Sequence, residues 1–121
     1  MTRLTCHLVP ADDWAATDRT RPYEAASLAI EGFIHCTDGD RELLRTADRH
    51  YRDDARPFVV LTVDLDLVSA PWSAADPAGI YPHIFGPIDQ AAIVAVRPLD
   101  RQPDGRFIGI EPGDGAVLSG D

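Results

Sequence analysis

The residues in this chain best equipped for chemistry are three histidines and one glutamate. His7 lies in the apolar run Thr5–Cys6–His7–Leu8–Val9, Glu31 and His35 bracket Gly32–Phe33–Ile34, and His83 is enclosed by Pro82, Ile84 and Phe85. An imidazole changes charge near neutral pH, so a histidine beside a carboxylate can move protons as donor or base. A buried imidazole must also find partners for both ring nitrogens. Three of them in short apolar segments meet that demand most readily where their strands converge. The expectation is one pocket lined by His7, His35 and His83 together with Glu31. Two other chemistries use the same residue types. Three histidines can hold zinc, although these are far apart in the chain, with no HExxH pair or CxxC knuckle to specify it. Ser27 with His35 and Glu31 has the composition of a nucleophilic triad, but no small-residue elbow exposes Ser27. The acidic turn at Asp64 and Asp66 lacks a calcium-loop pattern, and no structural metal is expected.

These groups need elements to position them. Residues 5–9 read as a strand closed by Pro10. Residues 58–63 (FVVLTV) are nearly all apolar and rich in β-branched types, which fits a central strand. Residues 92–96 and 106–110 predict further strands, and 81–85 an extended segment before Gly86–Pro87. Asp12 or Asp13 is placed to cap a short helix near Trp14, a core anchor. Residues 27–30 make a helical turn or a bridge. Leu43, Leu44, Ala47 and Tyr51 recur at helical spacing and give a helix over 38–51 one buried stripe. Thr37 and Asp40 have capping-box spacing, which makes Thr37 the expected N-cap. Residues 69–79 read as a loop, and the small residues after Pro112 as a frayed tail. Four or five strands with two short helices, not in βαβ order, predict a small α+β domain. Its sheet is expected to be bent, mostly antiparallel and wrapped around a cleft.

With 121 residues the chain is large enough for one hydrophobic core, and 45% hydrophobic residues argue against disorder throughout. Twenty acidic against 11 basic residues leave a net charge of -9, which disfavours a nucleic-acid backbone or an anionic membrane as partner. Cys6 and Cys36 sit in apolar segments as expected of free buried thiols. There is no signal-peptide pattern and no run of membrane-spanning length, so a cytoplasmic location is expected. The oligomeric state stays open.

The combination His7, Trp14, Tyr23, Ser27–Leu28, Glu31–Gly32–Phe33–Ile34–His35–Cys36–Thr37 and Pro82–His83–Ile84–Phe85–Gly86–Pro87–Ile88–Asp89 resembles the DUF952 family of small, functionally uncharacterised bacterial and plant proteins. The resemblance runs from about Thr5 to Pro98 of a single domain spanning residues 1–121. Family members are similar in fold to the ADP-ribosyltransferase superfamily, which includes NAD-using toxins and RNA phosphotransferases. That implies a split, strongly bent sheet of ADP-ribosylation type with a cleft between its halves. It also implies group transfer from, or binding of, NAD or another nucleotide-like ligand. By the same resemblance His35, His83 and Glu31 would be catalytic, and His7, Ser27 and Tyr23 would hold the cofactor. Characterised transferases carry a catalytic glutamate on a late strand, whereas this chain has His83 in its late block and Glu31 much earlier. The alternatives are a non-catalytic small-molecule-binding or accessory protein, and a metal-assisted hydrolase.

Overall fold

Two antiparallel sheets, curled against each other, carry the fold. The computed structural model describes residues 2–112, so the tail expected after Pro112 lies outside the described residues. In chain order the elements are β1 (Leu4–Pro10), α1 (Ala11–Ala15), α2 (Ala26–Glu31), β2 (Ile34–His35), α3 (Asp40–Tyr51), β3 (Phe58–Asp64), β4 (Trp72–Ser73), β5 (His83–Ile84), β6 (Ile93–Arg101) and β7 (Phe107–Ile110). The large sheet has the order β1-β3-β6-β7 and the small one β2-β5-β4. The expected α+β class and bent, split, antiparallel architecture are both present. β3 is central, as its continuous apolar run requires, and pairs with β1 and β6 on either side.

Side-chain alternation along β1 and β3 sorts the core into two layers. His7, Val9, Leu61 and Val63 face the small sheet, where the largest buried cluster includes Trp14, Tyr23, Ile34 and Ile84. Ile34 and Ile84 pair across β2 and β5 and are fully buried, each contributing about 2 kcal/mol of hydrophobic stabilisation. On the other face Cys6 and Val60 pack with Leu43 of α3, and Phe58 packs with Ala47 and Phe107. The stripe expected on α3 is real at Leu43 and Ala47, with Leu44 half-buried, whereas Tyr51 at its end is exposed. Trp14 is a core anchor as well.

Several local expectations are corrected. Thr37 does not cap α3. Its backbone N–H and C=O exchange bonds of 2.8 and 2.9 Å with Cys6, which holds it as an extension of the strand edge. Gly39, at φ 84°, makes the turn into the helix as its N-cap, without a side-chain capping bond. The Asp40 carboxylate is engaged instead by Arg97, in two bonds of 2.8 and 2.9 Å. α1 begins directly after Pro10, so Asp12 and Asp13 stand in its first turn, where they favour the helix dipole but cap nothing. Residues 27–30 are helical within α2, making three α-helices instead of two. The stretch 69–79 contains β4, and β6 continues past Pro98 to Arg101.

Candidate functional site

The outer edge of β1 forms part of a cleft of about 310 Å³. β1 is the outermost strand of its sheet, and only part of its free edge is covered. Cys6 points its N–H and C=O outward to Thr37. Backbone groups in an antiparallel strand alternate sides, so Leu8, two residues on, also points outward. Among the described residues no protein group pairs with the Leu8 N–H or C=O, and Leu8 lines the cleft. Pro10, next on that edge, has no N–H to offer.

His7 and Tyr23 form one wall. His7 Nδ1 lies 2.7 Å from the His35 carbonyl oxygen, which can only accept, so Nδ1 carries the proton and donates. Nε2 is then the acceptor for the Tyr23 hydroxyl at 3.0 Å. Burial pushes the His7 imidazole down to about 4, outweighing the bond to the His35 carbonyl, so His7 is neutral at neutral pH. Tyr23 is fixed by two 2.8 Å backbone bonds with Ile88 and by the edge of Trp14, with ring centroids 5.6 Å apart. Burial also pushes its phenol up, keeping the O–H intact as a donor.

Glu31 and His35 come from the helix–strand junction. Gly32, at φ 88°, ends α2 in the left-handed region and turns the chain back into β2. The reversal brings the two side chains together, and His35 Nε2–H donates to Glu31 Oε2 at 3.0 Å with both side chains about half exposed. Both line the cleft, together with Ser27, while Leu43, Thr46 and Tyr51 line it from α3. Asp13 and Glu24 add carboxylates, and no lysine or arginine among the described residues lines it.

His83 stands just outside. Its ring centroid is 5.7 Å from that of His35, and the ring stacks on Phe33 at 4.0 Å with an interplanar angle of 9°. His7, Tyr23, Ser27, Glu31 and His35 thus share the cleft lining, with His83 next beyond His35. No group of three or more histidine, cysteine or acidic side chains among the described residues is arranged to hold a metal ion. Burial pushes the Cys6 thiol up to about 11, and the buried Cys36 thiol is raised as well, so neither is a nucleophile near neutral pH. The Leu8 backbone pair and the carboxylates Asp13 and Glu24 were not foreseen. Strand 5–9 was readable, but which of its edges stays open is decided by pairing with residues 37 and 58–64, far along the chain.

The class defined here is a small α+β domain of two antiparallel sheets with a cleft along an edge strand. The chain belongs to the family described as "Protein of unknown function (DUF952)", whose profile matches residues 8–96. CC0527 from Caulobacter crescentus is similar. Its crystal structure is 24% identical with a TM-score of 0.71, over 88% of this chain and 94% of that one. A solution NMR structure of CC0527 gives 23% identity and a TM-score of 0.62, over 84% and 89% of the two chains. The fold is shared. No curated protein matches the chain. No helix among the described residues is long and apolar enough to cross a membrane.

Proposed function

We propose that the cleft takes the nicotinamide end of NAD or a closely related nucleotide, and that Glu31 and His35 promote transfer of its ribosyl group. The observation that carries this reading is the open backbone pair of Leu8 in the same cleft as a glutamate–histidine pair. A primary carboxamide complements Leu8 as a neighbouring strand would: its oxygen accepts the N–H and its NH₂ donates to the C=O. The carboxylates of Asp13, Glu24 and Glu31 favour a cationic pyridinium over a phosphate, so the base enters and the diphosphate stays outside. Tyr23 and Ser27 offer oxygen atoms to ribose hydroxyls. His7 has both ring nitrogens bonded to protein groups, which suits it to positioning Tyr23 and the His35 backbone.

In the reaction, the bond between the ribose anomeric carbon and the nicotinamide nitrogen breaks, and its electron pair leaves with the nitrogen, neutralising the pyridinium. The acceptor's oxygen or nitrogen bonds to that carbon, and its proton passes to His35 Nδ1. Glu31 holds the opposite ring nitrogen and balances the imidazolium that forms. Calorimetric titration of NAD against wild type and Glu31→Gln, with chromatographic assay of released nicotinamide, tests this. NAD is expected to bind both, while release falls about a hundredfold in the variant. Absence of binding up to about 1 mM NAD would sink the reading. Binding without release in the wild type would leave a non-catalytic ligand-binding protein.

A further inference from the structure

Past His35 the cleft gives way to the outward face of the small sheet, and that face is made of rings. Because Ile34 and Ile84 point inward, His35 and His83 point outward, with Phe33 and Phe85 two residues along on the same side. Phe33 lies 4.7 Å from His35, 4.0 Å from His83 and 6.0 Å from Phe85 between ring centroids. Phe85 is 46% exposed, which is unusual for so large an apolar side chain beside a packed core. We propose that this face is the stacking site for the adenine base of the ligand whose nicotinamide end occupies the cleft. The inference rests on the preceding reading of the cleft and extends it.

Three observations support it. His35 belongs both to the cleft lining and to the row of rings, so a ligand leaving the cleft past His35 meets Phe33 and His83 next. The side chains are aromatic, not branched aliphatic, and π faces with ring nitrogens between them suit a planar heteroaromatic base. Charge also changes along the path. The cleft is lined by carboxylates, whereas just past His35 the path meets the His83 imidazole, whose N–H can donate to a diphosphate oxygen.

Calorimetry with NAD and with nicotinamide mononucleotide, which lacks the adenosine half, separates the two sites. The wild type is expected to bind NAD about tenfold more tightly than the mononucleotide, the effect of one base–aromatic stack. Phe85→Ala should bring NAD down to the affinity of the mononucleotide and leave the mononucleotide unchanged, and Phe85→Trp should keep the preference. Phe85 is half exposed, so its replacement leaves the core intact, and a melting curve run alongside checks this. Equal binding of the two ligands by the wild type, or an NAD affinity indifferent to both Phe85→Ala and Phe33→Leu, overturns the stacking site and leaves the cleft standing. If neither ligand binds, the cleft reading fails, and the stacking site with it.

Discussion

Arg101 and the cleft use polar groups in opposite ways. The Arg101 guanidinium donates to the carbonyls of Tyr51, Arg52, Asp54, Arg56 and Gly105 at distances from 2.6 to 3.2 Å, and lies 4.2 Å over the Phe107 ring. Two of those carbonyls end α3, where no helical partner remains. Donors and acceptors there are matched within the protein. In the cleft the Leu8 backbone pair has no partner among the described residues, Tyr23 keeps an oxygen lone pair, and Glu31 and His35 stay half exposed. A polar cluster closed on itself holds the fold together. One with spare capacity beside a cavity is free to hold something else.

The contrast breaks most visibly at Arg101. Arg101→Ala is expected to cost about 4 kcal/mol in urea unfolding, because several carbonyls lose a charged donor at once. A cost below about 1 kcal/mol would mean that water replaces the guanidinium without loss. The next effect lies in pH. His7 has a folded pKa near 4 against an ordinary value of 6.5, so the unfolded chain takes up its proton first as pH falls. Its contribution is whole above about 6.5 and is lost by about 4, roughly 3 kcal/mol in all. His7→Gln keeps a donor and an acceptor without a titrating ring, and should flatten the stability profile across that window.

Smaller still is the effect of opening the Glu31–His35 pair. With both side chains about half exposed, Glu31→Gln should change stability by less than about 0.5 kcal/mol while impairing transfer. A large destabilisation would move this pair into the same class as Arg101. Smallest is Thr37→Val, expected to shift stability by less than about 0.3 kcal/mol, since the backbone and not the hydroxyl holds the residue. Loss of a full capping contribution, about 1 kcal/mol, would restore Thr37 as the cap.

What could be read from the sequence follows the same division. β3, β1 and the buried stripe of α3 were legible because burial repeats along them at a regular period. β2, β4 and β5 are two residues long and carry no period at all. Thr37 was misjudged because its spacing to Asp40 is local, whereas its bond to Cys6 joins positions 31 residues apart. The cost of burying an imidazole applies to His7 alone, whose two ring nitrogens are both bonded, whereas Glu31 and His35 meet at the cleft about half exposed. The neighbourhood of His35 and His83 came from the strength of their two sequence blocks, while the outward turn of both rings depends on Ile34 and Ile84 facing in.

The brevity of the small sheet also governs motion. Each of its strands has two residues, against seven in β1 and β3 and nine in β6. With so few cross-strand bonds, this sheet should open at a lower free energy than β3, and its amides should be the first in the core to exchange with solvent. Tethers to β1 limit that opening: the Cys6–Thr37 bridge and the 2.7 Å bond from His7 to the His35 carbonyl. Slack in the rest would let the ring-bearing face adjust without disturbing the large sheet, and any molecule seated across it would slow exchange at β2 and β5 while leaving α3 untouched.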